Sequence, residues 1–385
     1  MNWVVTWGTG LTPGGVLPGT PWSGRGVTIR NVVHTSIGGS SARITLSNAF
    51  GTAELAVTGA SVALPASVAG TMIPLTFGGA ESAVISPGSE LTSDPVRLEI
   101  PADADVLVSV GVRPGQGPVT FHLHASQESY VAVGDGHAAD VSRAEFTGRT
   151  ESWFYVAEVQ VPDRGAGTVV ALGDSITDGT TSTPGTNRRW PDYLARRLLA
   201  PPDGQGCGVL NAGISGNRVL LDGAAASPDC AGAGESGLAR LDRDVLDRAG
   251  VRTLVICAGI NDIIWEPHYD ATPIIDGLSR IAARAHECGI RVIGATLTPA
   301  CGFSGGLSAV QETARAEVNA WIRDGSAFDA VADFDAVLRD PAHPERLAAC
   351  YDSGDHLHPS DRGFEALAAA ICLGGLTKGL EALSD

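Results

Sequence analysis

The pattern of apolar residues and turn residues changes near residue 165, and this change limits the folds that the chain can adopt. Before it, short runs rich in β-branched residues alternate with Gly, Pro and Ser turns, without a clear amphipathic helix. The runs are Val27 to His34, Ala42 to Leu46, Val106 to Val112 and Trp153 to Val161. Many short strands with frequent turns are typical of a β-sandwich or jelly roll. We therefore predict an all-β domain over residues 1–163, with Pro162 to Gly165 as a short linker.

Beyond the linker, apolar runs alternate with loops and helical patterns. The runs are Thr168 to Leu172, Val209 to Leu210, Thr253 to Ala258, Arg291 to Leu297 and Ala330 to Phe334. Helical spacing places Ile274, Ile275, Leu278, Ile281 and Ala285 on one face, and Val310, Ala314, Val318 and Trp321 on another. Ser360 is the predicted N-cap of a last helix through Phe364, Leu367 and Ile371. This alternation predicts an α/β domain over residues 164–385, with a parallel sheet covered on both faces.

Composition and charge exclude several classes of function. The net charge is −17 and the one lysine is Lys378, so a polyanionic partner such as nucleic acid is not expected. No apolar stretch approaches the roughly 20 residues that a bilayer span needs, so membrane insertion is not expected either. The N-terminus lacks the basic and apolar segments of a secretory signal. The expected location is cytoplasmic, or extracellular if a leader has been removed, and oligomeric state is left open.

The seven cysteines form no C-x-x-C or other metal-ligand spacing, so no metal site is predicted. Cys257, Cys288 and Cys372 are expected to be small core residues. The pairs Cys207/Cys230 and Cys301/Cys350 lie in loops, and either could form a disulfide in an oxidising compartment.

Four motifs could carry chemistry, and each follows an apolar strand or precedes a helix. They are Gly173 to Gly179 (GDSITDG), Asn211 to Asn217 (NAGISGN), Gly259 to Asp262 (GIND) and Asp355 to Pro359 (DHLHP). Taken singly, each could be an ordinary turn. In a parallel sheet, however, the carboxyl ends of the strands share one edge. The four motifs are therefore predicted to meet there.

Together the motifs supply a serine hydroxyl, backbone and amide N–H donors, and an imidazole with a carboxylate three residues ahead of it. This is the set that nucleophilic acyl transfer needs. The spacing favours His358 over His356 as the partner of Asp355, and His356 is expected to be structural.

The four motifs resemble the signature blocks of the SGNH/GDSL hydrolase superfamily, over about residues 166–375. The resemblance implies a flavodoxin-like three-layer catalytic domain that needs no cofactor. By motif position it implies a nucleophile, Ser175, a general base, His358, and its carboxylate partner, Asp355. The implied oxyanion hole consists of the N–H groups of Ser175 and Gly216 and the side-chain amide of Asn261.

The implied function is a serine esterase for short-chain, most plausibly acetyl, esters on a sugar or a glycosylated small molecule. The loop Asp222 to Gly237 has no bulky apolar residue to grip a long acyl chain. Two alternatives remain. One is a lipase, arylesterase or acyltransferase with the same triad, and the other is an inert carbohydrate-binding protein.

The N-terminal half resembles, less specifically, the β-sandwich that precedes the catalytic domain in some GDSL esterases of high-GC bacteria. The runs that carry this resemblance are Trp3 to Trp7, HTSIGGS and LSNAFG. His122, His124 and His137 could line a groove but are expected to be core or surface residues. The half is expected either to pack against the catalytic domain or to be a detachable glycan-binding module.

Overall fold

The computed structural model describes residues 2–14, 26–65, 71–113, 117–165, 167–200, 206–223, 232–265 and 270–377. The chain divides into two compact units, Met1–Asp163 and Arg164–Asp385. Each unit buries an apolar core of its own. Among the described residues, no helix is both long enough and apolar enough to cross a bilayer.

The first unit is built from antiparallel strands. They are β1 (Trp3–Gly8), β2 (Thr12–Gly14), β3 (Val27–Thr35), β4 (Gly39–Ser47), β5 (Leu55–Ala63), β6 (Ile73–Pro74), β7 (Ala83–Ile85), β8 (Glu90–Thr92), β9 (Val96–Ile100), β10 (Ala104–Arg113), β11 (Val119–His122), β12 (Ser129–Val133), β13 (Gly148–Thr150), β14 (Trp153–Phe154) and β15 (Val156–Pro162). No helix occurs in the part of this unit that the structure describes, and the predicted all-β fold is confirmed.

The strands of this unit form three sheets within the described residues. Their orders are β13-β12-β3-β10-β5-β6 with β7 on β5, β1-β15-β4-β8 with β9 on β4, and β14-β11-β2. Alternate positions of the long strands β3, β4 and β10 supply most of their buried apolar side chains to the core, and those of β10 are all valine. The predicted strand Trp153 to Val161 is instead interrupted at Tyr155, whose φ of 60° breaks the extended backbone between β14 and β15.

The second unit has a parallel sheet with five strands in the described residues. They are β16 (Thr168–Gly173), β17 (Gly208–Gly213), β18 (Val251–Cys257), β19 (Arg291–Ala295) and β20 (Ala330–Ala332). Their order is β17-β16-β18-β19-β20, so the first strand of the unit lies inside the sheet, between β17 and β18. Residues on both faces of β16 and β18 are buried, as expected of a sheet covered on both sides.

The helices of this unit follow the strands. They are α1 (Ser175–Asp178), α2 (Trp190–Leu199), a π-helical turn (Asp242–Leu246), α3 (Ile260–Trp265), α4 (Thr272–Glu287), α5 (Ala309–Asp324), α6 (Phe334–Leu338), α7 (Asp361–Ala370) and α8 (Leu373–Thr377). Ser360 caps α7 by accepting the N–H of Gly363. The predicted α/β fold with a parallel sheet is confirmed.

Several details differ from the prediction. The last two predicted strands are shorter, because β19 ends at Ala295 and α6 begins at Phe334. In α5, Val310 is 60% exposed, and the buried face instead includes Arg315 and Asn319. Those two polar side chains are buried because each has a hydrogen-bond partner.

The cysteine predictions have mixed outcomes. Cys257 is buried as predicted, whereas Cys288 and Cys372 are exposed, since they follow the last turns of α4 and α7 rather than pointing into the core. Cys301 and Cys350 are both free thiols, so the structure contains no disulfide between them. Cys207 is also free, and Cys230 lies outside the described residues.

Candidate active site

Ser175 begins α1, two residues after the end of β16 at Gly173. Asp174 is the N-cap, and its carboxylate accepts the N–H of Ile176 at 3.0 Å. A Cβ on Gly173 would lie 2.5 Å from the carbonyl oxygen of Cys257, so only glycine lets β16 end against the neighbouring strand. This sharp turn from strand to helix holds the serine hydroxyl at the carboxyl edge of the sheet.

His358 lies in the loop before α7 and connects Ser175 to Asp355. Its Nε2 atom is 2.9 Å from the Oγ atom of Ser175, and its Nδ1 atom is 2.6 Å from Oδ2 of Asp355. The other carboxylate oxygen of Asp355 accepts the backbone N–H groups of Leu357 and His358 at 2.9 and 2.8 Å. The structure thus brings together the three side chains that the sequence predicts as a triad.

The ionised carboxylate of Asp355 decides which nitrogen of His358 carries a proton. Burial disfavours its charge, but hydrogen bonds from His358 and from the backbone of Leu357 outweigh burial and lower the pKa of Asp355 to about 2. An ionised carboxylate can only accept, so Nδ1 of His358 carries a proton. Its Nε2 atom is then the acceptor for the Ser175 hydroxyl, which is the arrangement of a general base.

His356 does not take part in this chain. Its Nδ1 atom pairs with the carboxylate of Asp352, and its backbone adopts a left-handed φ of 65°. The preference for His358 over His356 therefore agrees with the geometry.

Three N–H donors are available at the same sheet edge. Gly173 of β16 pairs with Gly213 of β17 and with Cys257 of β18, so the three following loops leave the sheet side by side. The backbone N–H groups of Ser175 and Gly216 have no acceptor among the described residues. Gly216 has a φ of 78°, a conformation that glycine adopts without strain.

The third donor, the amide of Asn261, has a fixed orientation. Its Nδ2 atom donates to the backbone carbonyl of Asn217 at 3.0 Å, and its Oδ1 atom accepts the indole N–H of Trp265 at 3.3 Å. These two contacts distinguish the oxygen from the nitrogen, and they leave the second N–H of the amide for a ligand. The Trp265 side chain is 65% exposed beside this donor.

Two buried carboxylates connect the loops. Asp178 accepts the backbone N–H and the hydroxyl of Ser215 at 2.9 and 2.6 Å, which joins the first motif to the second. Asp262 accepts the N–H groups of Val219 and Leu220 at 2.8 and 3.0 Å, which joins the second to the third. Burial raises the pKa of Asp262 to about 6. The loops are thus held by side chains whose roles the sequence did not reveal.

Arg240 is a further residue that the sequence analysis missed. Its guanidinium is fully buried and donates to the carbonyls of Gly173 and Ala212 and to the side chain of Asn217. It also pairs with Asp244. An isolated arginine in a sequence is expected to lie on the solvated surface, so nothing local in the sequence indicates that Arg240 is buried.

Three further histidines named as candidates from the sequence belong to the first unit. His122 is buried in the first unit, with Nδ1 2.7 Å from the carbonyl of Gly10, and His137 pairs with Asp140 at 2.8 Å. His124 is exposed. In the loop Asp222 to Gly237, residues 224–231 are outside the described residues. Across the described ranges, no group of three His, Cys, Asp or Glu side chains is arranged to hold a metal ion.

Comparisons with known proteins agree with the geometry. A model of the GDSL-like lipase/acylhydrolase family matches residues 171–366, which include all five predicted site residues. No curated protein matches the chain.

Three similar solved structures illustrate the likeness. A GDSL-like lipase from Bacteroides thetaiotaomicron is 20% identical over 56% of this chain and 90% of its own, with a TM-score of 0.42. The carbohydrate acetylesterase Est24 from Sinorhizobium meliloti is 18% identical over 53% and 95%, with a TM-score of 0.40. An acetylxylan esterase from Geobacillus stearothermophilus is 22% identical over 55% and 94%, with a TM-score of 0.40.

The family model covers just over half of the chain, including all four of the motifs singled out from the sequence. The chain therefore belongs to the GDSL-like lipase/acylhydrolase family and is an enzyme that hydrolyses carboxylic esters.

Proposed function

We propose that the protein is a serine esterase that hydrolyses short-chain, principally acetyl, esters of a sugar or a glycosylated small molecule. The observation that carries the proposal is the continuous chain of contacts from the Ser175 hydroxyl through His358 to Asp355. In such a chain the imidazole accepts the serine proton as the oxygen attacks a carbonyl.

The reaction proceeds in two halves. The Oγ atom of Ser175 forms a bond to the ester carbonyl carbon while its proton passes to Nε2 of His358. The resulting oxyanion accepts hydrogen bonds from the N–H groups of Ser175 and Gly216 and from the Asn261 amide. The imidazolium then gives its proton to the leaving alkoxide, and an acyl-enzyme remains.

Water completes the cycle. His358 takes a proton from the attacking water as a second oxyanion forms in the same hole, and then gives that proton to the departing Ser175 oxygen as the acid is released. Asp355 remains ionised throughout and stabilises the imidazolium. The mechanism uses only groups of this chain, so activity should persist in EDTA.

Two features support a small acyl group on a sugar. The loop Asp222 to Gly237 contains no bulky apolar residue that could grip a long acyl chain. The exposed indole of Trp265, which contacts the proposed oxyanion donor Asn261, offers a flat apolar face on which a sugar ring can lie.

Four measurements test the proposal: covalent labelling, an acyl-chain series, a comparison of sugar and simple esters, and acyl transfer to an added alcohol. A fluorophosphonate should label Ser175, detected by peptide mass spectrometry, and should abolish hydrolysis of p-nitrophenyl acetate. The value of kcat/KM should fall from the acetate to the butyrate to the octanoate ester, and acetylated xylose should be a better substrate than ethyl acetate. A rise with chain length would instead indicate a lipase. Transfer of the acetyl group to an added alcohol in preference to water would indicate an acyltransferase.

Labelling elsewhere, with Ser175 unmodified, would refute the assignment of the nucleophile. An active wild-type protein that loses activity in EDTA and regains it with a divalent ion would refute the metal-independent mechanism.

A further inference from the structure

The guanidinium of Arg240 joins two of the loops that carry the proposed oxyanion donors. One terminal nitrogen donates to the carbonyl of Gly173 at 2.9 Å, at the end of β16 and two residues before Ser175. The other donates to the carbonyl of Ala212 at 2.7 Å, near the end of β17 and four residues before Gly216. The planar guanidinium of Arg240 therefore fixes the distance between the ends of β16 and β17.

The same guanidinium reaches the third donor through Asn217. Its Nε atom and one terminal nitrogen lie 3.1 and 3.0 Å from Oδ1 of Asn217. The backbone carbonyl of Asn217 is the acceptor for the amide of Asn261. A single side chain thus contacts, directly or through one residue, the segments that carry all three donors.

The arginine is fully satisfied in this position. With Asp244 at 3.1 Å, all five N–H groups of the guanidinium have an acceptor. Both members of the Arg240–Asp244 pair are buried, a placement that is favourable only when the geometry and hydrogen bonding are complete. Lysine has three rotatable donors on a point charge and cannot reproduce this planar set.

We propose that Arg240 is a positioning residue that holds the oxyanion donors at the spacing the tetrahedral intermediate requires. The inference depends on the proposed function, because it assigns Arg240 an effect only through Ser175, Gly216 and Asn261. Misplacing a catalytic group by about 1 Å can lower a rate by about 10²-fold. Arg240 therefore contributes to kcat without touching the substrate.

A double-mutant cycle tests this role. Arg240→Lys should lower kcat on p-nitrophenyl acetate by about 10- to 100-fold, with KM changed by less than about threefold. It should weaken inhibition by a trifluoromethyl ketone, which forms a tetrahedral serine adduct, by a similar factor. In the Asn261→Ala background the same change should lower kcat by less than about threefold, because the hole it positions is already incomplete.

Effects of Arg240→Lys and Asn261→Ala that multiply would overturn the proposal, as would an Arg240→Lys enzyme with kcat within about twofold of the wild type. Arg243→Lys is the matched control. Arg243 contacts the same Asp244 at 2.7 Å, but the bonds to the three loop positions belong to Arg240. Its kcat should stay within about twofold of the wild type, and a loss equal to that of Arg240→Lys would show general destabilisation instead.

If Arg240→Lys does not fold, Asn217→Ala replaces it, since this change keeps the Arg240–Asp244 pair and removes the acceptor through which Arg240 holds Asn217, whose backbone carbonyl binds Asn261. Asn217→Ala should also lower kcat about tenfold, and its effect should not multiply with that of Asn261→Ala. A wild-type kcat in Asn217→Ala would overturn the proposal. Failure of the proposed function can be distinguished from failure of the role of Arg240. Hydrolysis that persists in Ser175→Ala would overturn both. Hydrolysis that requires Ser175, with effects of Arg240→Lys and Asn261→Ala on kcat that multiply, would overturn only the role of Arg240.

Discussion

The Nε2 atom of His358 lies 2.9 Å from the Oγ atom of Ser175, although 183 residues separate the two in the chain. A contact between the two loops accompanies this approach. Ser175 follows the inner strand β16, and just after its motif the Thr181 hydroxyl donates to the carbonyl of Pro359, in the last motif, at 2.9 Å. The loop that carries His358 is therefore tied to the loop that carries Ser175.

Ser175 and His358 should act as one unit. Ser175→Ala and His358→Ala should each lower kcat on p-nitrophenyl acetate by about 10⁴-fold or more, and the double mutant should be within about threefold of either. His356→Asn is the control, because His356 pairs with Asp352 and asparagine tolerates its left-handed φ of 65°. Losses that multiply in the double mutant, or an equal loss in His356→Asn, would contradict the triad.

Asn261 should act mainly on the transition state. Asn261→Ala should lower kcat by about 10²–10³-fold with little change in KM, because its amide would bind the oxyanion more strongly than the ground-state carbonyl. Gln311→Ala is a matched control, since it removes a hydrogen bond of 2.9 Å to the carbonyl of Ile263 in the same helix α3. A normal kcat in Asn261→Ala would remove this residue from the oxyanion hole.

Asp355 should support turnover through its charge. Its pKa of about 2 keeps it ionised across the working range, so it can stabilise the imidazolium that forms in the transition state. Asp355→Asn should therefore lower kcat on p-nitrophenyl acetate, by up to about 10⁴-fold. Asp352→Asn makes the same change beside His356 and should leave kcat within about twofold of the wild type. A wild-type kcat in Asp355→Asn would indicate that the carboxylate does not act on the imidazole.

The parallel sheet, which is confirmed, and the three proposed triad positions, which the structure brings together, could both be predicted because they depend on local patterns. A serine after an apolar strand, and a carboxylate three residues before a histidine, can be recognised within a few residues of each other. Arg240 could not be recognised in this way, since its acceptors Gly173 and Ala212 lie 67 and 28 residues away and are backbone carbonyls. A backbone acceptor has no side-chain signature.

The buried face of α5 was predicted only in part, for a related reason: Ala314 and Val318 are buried, but Val310 is not. Hydrophobic periodicity placed Val310 in the core, whereas Arg315 and Asn319 occupy buried positions. Arg315 donates to Asp335 and Asn319 to the carbonyl of Leu297, both at 2.8 Å. Burial of a polar side chain depends on partners from other elements, which a hydrophobic pattern does not specify.

A last prediction concerns Asp174, the N-cap of α1. Burial, opposed by the N–H of Ile176 and reinforced by the charge of Asp262, raises the pKa of Asp174 to about 7. The folded protein therefore retains a proton that the unfolded chain, with an ordinary carboxyl pKa of about 4, has released. Since stability falls with pH wherever the folded state binds more protons, Asp174 should destabilise the fold progressively between about pH 4 and pH 7.

Asp174→Asn should remove this penalty while keeping an oxygen that can cap the helix. The difference in Tm between Asp174→Asn and the wild type should therefore increase by several degrees from pH 5 to pH 8, measured by calorimetry. Asp333→Asn is the control, because hydrogen bonds from Arg323 and its neighbours outweigh burial and lower the pKa of Asp333 to about 2. That carboxylate is ionised in both folded and unfolded states above pH 5, so the effect of Asp333→Asn on Tm should not change between the two pH values. A Tm difference for Asp174→Asn that stays constant or shrinks as the pH rises would show that Asp174 is already ionised at pH 5.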